Sequence, residues 1–400
     1  MNESRHRYDI DGIIRIRSAV RLPELEFARS HRPLKPDLVI ERGLVGAPLP
    51  RARRSLVAEA GRITWREHLG SLGANFRIEF GEPIRITVGP LLTVSPHVVY
   101  TNLVEPLLRF MLVRRGRVLL HAATVVLGGQ TVMLSAETDT GKTTTILRLL
   151  QEQGGTFYSD DMVLVDPNGW VTRYPKPLTI SAHTVRATPR NRLSLGKRLA
   201  LPLQSRLHSR GVRGAGKRMG SLNLPIMSLN AAIQAVVPPP KYAVTDLVDC
   251  EMGRRTRLEH VFLIERGEQT EIGQVTGSEA VEALIRNTED AYGFPPYPIL
   301  ARHICIDGMG LAGLRRRERA ILESALGDRD LTRIVAADYG WADIIVQRLG
   351  LDEALQPALE ALAPVERSLT PVQLSPLTEG PGDASSRPET EPEPVASGRP

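Results

Sequence analysis

Residues 131 to 145 read Thr-Val-Met-Leu-Ser-Ala-Glu-Thr-Asp-Thr-Gly-Lys-Thr-Thr-Thr, and no other run constrains the fold as much. Thr131 to Ser135 is apolar and predicts a strand, and Thr144-Thr145-Ile146-Leu147-Arg148-Leu149-Leu150 predicts a helix. Between them lie Ala136, Glu137, Thr138, Asp139, Thr140, Gly141, Lys142 and Thr143. A strand, a loop of this A/G-x-x-x-x-G-K-T pattern and a helix make a phosphate-binding loop. Backbone N–H groups at the helix start point at phosphates, and the helix dipole favours their charge. Lys142 can neutralise the outer phosphates, the Thr143 hydroxyl can hold Mg²⁺, and Thr144 completes the nucleotide-binding set. ATP and Mg²⁺ are the expected ligands. Two positions depart from the usual loop. Ala136 replaces its first glycine, and Asp139, with Glu137 nearby, stands where a middle glycine is common. A carboxylate there repels phosphate unless it points outward or meets the metal.

A second motif follows. Gly154-Gly155 ends the helix, Thr156-Phe157-Tyr158-Ser159 leads to Asp160-Asp161, and Met162 to Val165 predicts a short strand closed by Asp166-Pro167-Asn168-Gly169. Phosphoryl transfer to an alcohol needs one carboxylate near the metal and one near the attacking hydroxyl. Two exposed turn aspartates would read the same way in isolation; beside a phosphate loop, catalysis is the stronger reading. Upstream, Val118 to Leu127 predicts one strand, and Gly128-Gly129-Gln130 a hairpin turn into the loop strand. His121 falls inside that strand, as a packed residue or a catalytic one.

The run His121-Ala122-Ala123-Thr124-Val125, then Ala136 to Thr143, then Ser159-Asp160-Asp161 resembles the catalytic core of the HPr kinase/phosphorylase family and its relatives. These share a phosphate-loop fold with phosphoenolpyruvate carboxykinase. The resemblance covers about residues 118 to 166, and Tyr292-Gly293-Phe294-Pro295-Pro296-Tyr297-Pro298 looks more weakly like a segment of the same kinases. It implies that Lys142 and Thr143 bind phosphate and Mg²⁺, that Asp161 is the base on a substrate serine, and that Asp160 helps to hold metal. His121 takes the place of the family histidine that precedes the loop. The acidic signature these kinases carry downstream has no counterpart. The comparable stretch, Gln204 to Arg213, is basic, which points away from HPr as the substrate.

The expected organisation is α/β: an N-terminal α/β module over 1–97, a phosphate-loop kinase core of the HPr kinase/carboxykinase-like type over 98–310, a helical and strand extension over 311–362, and a disordered tail over 363–400. The tail is rich in Pro, Glu, Ser and Gly and lacks apolar periodicity. Within the module, Ile13 to Ile16, Leu38 to Ile40, Phe76 to Phe80 and Ile84 to Val88 read as strands. In the later part, Gly277-Ser278 reads as the cap of a helix from Glu279 to Asn287, Arg315 to Leu326 and Trp341 to Leu349 as helices, and Leu331 to Val335 as a strand.

Charge and cysteine usage narrow the partners. The formal net charge is +6, and Arg186 to Arg218 carries ten basic residues without an acid. That segment reads either as a solvated surface loop or, through Arg206, Arg210 and Arg213, as a grip on an acidic substrate. Few aromatics interleave with it, so nucleic acid is not an expected partner. No apolar run reaches membrane-spanning length. Two cysteines, Cys250 and Cys305, make no disulfide or zinc framework and fit the cytoplasm. The expected acceptor is a protein, peptide or small hydroxyl compound, and a homo-oligomer is left open. Three functions compete: a kinase acting on a hydroxyl, a nucleotide-binding regulator without chemistry, and a carboxykinase-like enzyme on a small acid.

Overall fold

Alternation of apolar and polar residues builds the N-terminal half. Ile84, Ile86 and Val88 are buried while Arg85 and Thr87 between them are only partly so, the signature of a strand with one face on a core. The computed structural model describes residues 6–33, 35–46, 54–179, 225–239, 241–337 and 340–352. The tail over 363–400 and the basic segment with Arg206, Arg210 and Arg213 lie outside the described residues.

The N-terminal strands are β1 His6–Ile10, β2 Ile14–Ser18, β3 Leu38–Arg42, β4 Arg54–Glu59, β5 Arg62–Leu69, β6 Leu72–Gly73, β7 Phe76–Glu79 and β8 Ile84–Val88. They form one sheet in the order β1-β2-β3-β8-β7-β5-β4, with β6 on β5. Helix α1, Glu105–Arg114, follows and is buried from Glu105 to Val113. One cluster of buried apolar side chains runs from Ile14, Trp65 and Phe76 through Leu107 and Phe110 to Leu119, Val163 and Leu322. The N-terminal sheet and the following core thus share apolar packing, within a compact unit that spans Met1–Ala354.

The remaining strands are β9 Val118–Leu120, β10 Ala122–Leu127, β11 Gln130–Ser135, β12 Thr156–Ser159, β13 Val163–Val165, β14 Trp170–Thr172, β15 Leu178–Thr179, β16 Lys241–Tyr242, β17 Glu251–Met252, β18 Arg255–Arg257, β19 His260–Arg266, β20 Glu271–Gln274 and β21 Asp330–Ala336. Seven make a mixed sheet in the order β17-β12-β10-β11-β19-β21-β20, and four make a second sheet, β18-β14-β13-β9. Gly128 and Gly129, with φ of +53° and +83°, form the two-residue turn between β10 and β11. Both angles are left-handed, as a hairpin turn of this length requires. Strands β11, β19 and β21 run parallel, and the loop over residues 136–141 leaves the C-terminal end of β11.

Two expectations need correction. Val118 to Leu127 is not one strand: the chain pairs with β13 up to Leu120, breaks at His121, and then pairs with β11 and β12. A continuous apolar run hides such a break, because both pieces are buried on both faces. The helix expected from Glu279 to Asn287 is longer, and its cap is Thr276. Thr276 Oγ1 accepts from Glu279 N at 3.3 Å, and the Glu279 carboxylate accepts from Thr276 N at 2.7 Å. This reciprocal pair satisfies two otherwise orphaned amides.

The other principal helices are α2 Lys142–Gln153, α3 Ile226–Val236, α4 Gly277–Ala291, α5 Leu311–Leu326 and α6 Trp341–Arg348. Helices α2 and α6 cover one face of the seven-stranded sheet through Leu134, Ile146, Leu150, Phe262, Trp341 and Ile345. The Tyr292–Pro298 segment is fixed from α1: Arg109 lies 4.9 Å over the Tyr292 ring and donates to the Tyr297 hydroxyl at 3.3 Å. Among the described residues, no helix is long and apolar enough to cross a membrane.

Candidate functional site

Two chain crossings between the sheets create the site. The first runs from β9 through His121 into β10. The second runs from β12 through Asp160, Asp161 and Met162 into β13. Because β9 pairs with β13 and β10 with β12, the two crossings face each other. His121 Nε2 therefore comes within 3.4 Å of Asp161 Oδ1. The His121 backbone N donates to Thr288 Oγ1 at 3.2 Å, and Nδ1 meets the Asn287 carbonyl at 3.0 Å. A carbonyl can only accept, so Nδ1 carries a proton and Nε2 is the nitrogen turned to Asp161.

The expected phosphate-binding segment leaves β11 at Ser135 and enters α2 at Lys142. Ala136 is buried, Glu137 is exposed, and Thr144 is half-buried in the first turn of the helix. Asp139 has φ of +64°, the left-handed conformation usually given to glycine, and its side chain is exposed. Aspartate is among the few residues that tolerate this region. Gly141, with φ of +136°, takes a backbone shape that a side chain would strain. Thr138 N donates to Asp290 Oδ2 at 3.0 Å, and the Thr140 carbonyl accepts from Arg266 Nε at 3.0 Å. Lys142 folds back over the loop and donates to the Ala136 and Glu137 carbonyls at 2.9 and 3.4 Å. Burial pushes its pKa down to about 8, against the pull of Asp161 and Asp160.

The loop and the aspartate pair meet at Thr143, whose Oγ1 donates to Asp160 Oδ2 at 2.9 Å. Burial and the neighbouring Asp161 push the Asp160 carboxyl up to about 6. Its Oδ1 is buried and has no hydrogen-bond partner among the described residues. An acceptor oxygen without a donor costs free energy unless something positive reaches it. Magnesium binds in this way, through one or two carboxylates or hydroxyls with phosphate and water completing its shell. Thr143 and Asp160 fit that role. Among the described residues there is no cluster of three or more His, Cys, Asp or Glu that would hold a metal unaided.

Asp161 differs from its neighbour: its side chain is 46% exposed. Burial works against its charge, yet the Lys176 ammonium and His121 hold its carboxyl well below the usual range. Lys176 Nζ contacts Asp161 Oδ2 and bonds Glu105 Oε2 at 2.7 Å. Neither Lys176 nor Glu105 stands out as a site residue in the sequence. The available signals are a lysine between Pro175 and Pro177, in a chain with six lysines, and an acid opening a mostly apolar helix.

Helix α4 buttresses both parts. Asn287 Nδ2 donates to Ser135 Oγ at 3.1 Å, while its carbonyl orients His121. Ala280, Val281, Leu284, Asn287 and Thr288 share the buried face, so the two polar residues occupy core positions. That conflict of pattern is the sequence signal for them. A cleft of about 440 Å³ opens beside the loop, lined by Glu137, Thr138, Asp139, Thr140, Arg266 and Arg286 among others. The sequence-predicted set from Ala136 to Thr144 thus lies beside Asp160, Asp161 and His121. No family model matches the chain, and no curated protein matches it.

Proposed function

We propose that the chain is an ATP-dependent phosphotransferase of the HPr-kinase-related type, passing the γ-phosphate to a hydroxyl, with a serine of a protein or peptide as the leading acceptor. One observation carries this reading. Asp161 is open to solvent and held by His121 and Lys176, one residue beyond Asp160, which is bonded to the phosphate-loop Thr143.

In this reading the loop amides and Lys142 bind the triphosphate, Lys142 exchanging the Ala136 and Glu137 carbonyls for phosphate oxygens. The nucleoside lies in the cleft beside Thr138, Asp139 and Thr140, whose volume accommodates it. Mg²⁺ bound with the nucleotide supplies charge neutralisation at the phosphates, with Thr143 and Asp160 as its protein ligands. Asp161 accepts the proton of the attacking hydroxyl. His121 donates from both ring nitrogens in this reading, Nδ1–H to the Asn287 carbonyl and Nε2–H to Asp161 Oδ1, and so keeps the Asp161 carboxylate oriented. Two free thiols, Cys250 and Cys305, accord with a reducing compartment such as the cytoplasm.

The test is single-turnover transfer from γ-labelled ATP in cell extract, with Asp161→Asn alongside. Label should enter protein, and the variant should bind MgATP but transfer about 10²–10⁴ times more slowly, as expected when a general base is lost. Label entering only a small molecule would replace the acceptor class. Wild-type rates in the variant would remove Asp161 as the base, and MgATP binding with no transfer by the wild-type chain would leave a nucleotide-binding regulator.

A further inference from the structure

Lys176 occupies a closed box. Its ammonium bonds Glu105 Oε2 at 2.7 Å, contacts Asp161 Oδ2, and lies 5.7 Å from the centre of the Tyr100 ring. Each wall is fixed in turn. Glu105 opens the buried helix α1. The Tyr100 hydroxyl pairs with that of Tyr174 at 2.9 Å, and Lys176 N donates to the Tyr174 carbonyl at 2.8 Å. Lys176 and Glu105 have side chains 10% and 6% exposed, against 46% for Asp161. The box therefore has two shielded members and one that opens outward.

A buried ion pair adds little stability over an apolar replacement, because desolvation offsets the attraction. Glu105 would also suffice to neutralise Lys176. The contact with the second carboxylate is what the lysine adds: it holds Asp161 Oδ2 while His121 lies at Oδ1, so the carboxylate is contacted at both oxygens and stays open to solvent. Holding a reactive group within a fraction of an ångström is what supporting residues contribute to catalysis.

We propose that Lys176, anchored by Glu105, is a positioning residue that aims Asp161 at the acceptor hydroxyl. This rests on the phosphotransferase reading. Lys176 does not touch the nucleotide in this proposal, and it acts through Asp161 alone.

The test combines single-turnover transfer with MgATP affinity by calorimetry in the full chain. Lys176→Met should slow transfer about 10- to 100-fold, the loss that follows from misplacing a reacting group by roughly an ångström. MgATP affinity should stay within about twofold of wild type, and Lys176→Arg should recover part of the rate. In the Asp161→Asn background, adding Lys176→Met should cost nothing more, since residues acting as one unit are not additive. If Lys176→Met fails to fold, Glu105→Gln keeps the ammonium and loosens its anchor, and it should slow transfer in the same direction without weakening MgATP. Wild-type transfer in both Lys176→Met and Glu105→Gln would overturn the positioning role alone. A further loss in the double variant, or a parallel loss of MgATP affinity, would show instead a direct phosphate contact. Absence of transfer by the wild-type chain would remove the phosphotransferase reading and this inference with it.

Discussion

Thr143 Oγ1 donates to Asp160 Oδ2 at 2.9 Å, tying the first turn of α2 to the link between β12 and β13. The bond joins the two motifs and leaves Asp160 Oδ1 buried without a hydrogen-bond partner among the described residues.

Asp160→Asn should therefore act on the metal dependence and not on the fold. The amide can still accept from Thr143, but it no longer offers a negative charge to a cation. The Mg²⁺ concentration at half-maximal activity should rise about tenfold, the effect of ~1.4 kcal/mol. The upward shift of the melting temperature on adding MgATP should shrink as well. An unchanged metal titration together with an unchanged melting shift would remove Asp160 from the metal side of the site.

The strand, turn and helix over 130–153 were legible because their signal is local: apolar strand, glycine and helix lie within one short run. The Gly128-Gly129 turn was legible for the same reason. The position of His121 was not. Its placement beside Asp161 depends on the chain changing sheets, and residues on either side are equally apolar. Lys176 and Glu105 are further from reach, since they sit 71 positions apart in sequence and are joined only by tertiary packing. Thr288 and Asp290 were missed because the predicted helix stopped at Asn287, short of its true end at Ala291, and Asn287 because its partners come from distant parts of the chain.

Asp139 sits in the left-handed region at φ +64° and is exposed beside the cleft. Asp139→Gly removes both a backbone strain of about 1 kcal/mol and a negative charge near the phosphates. ATP affinity should rise a few-fold and the melting temperature should not fall. A clear loss of affinity in a calorimetric titration would show that the carboxylate contributes to binding.

Arg109 and Glu318 form a buried two-pronged ion pair, Nε to Oε1 at 2.6 Å and Nη2 to Oε2 at 2.8 Å. Burial alone would lower the Arg109 pKa, but Glu318 raises it above the ordinary value. Arg109→Met should destabilise the chain by about 3–5 kcal/mol, because Glu318 is left buried without its partner. The double variant Arg109→Met, Glu318→Leu should recover most of that loss. Denaturant midpoints measured on the single and double variants check this, and equal midpoints for the two would contradict it.

Glu67 gives the clearest pH dependence. It lies 2% exposed on β5 and binds α3 through Ser228 N, which donates to its Oε1 at 2.7 Å. Burial pushes its carboxyl up from 4.5 to about 7, although the Ser228 amide and hydroxyl and the Arg54 charge favour ionisation. Between those two values the folded chain holds a proton that the unfolded chain releases. Stability must then fall as pH rises through this window and level off above pH 7. A shift of that size corresponds to about 3 kcal/mol for this nearly inaccessible group. Glu67→Gln keeps an acceptor for the Ser228 amide and carries no ionisation cost. Measured in parallel, so that other titrating groups cancel, the variant should gain on the wild type by up to about 3 kcal/mol between pH 4 and pH 8. A stability difference that stays flat over that range would mean that Glu67 is ionised in the fold at neutral pH, held by Ser228 and Arg54 more strongly than burial opposes it.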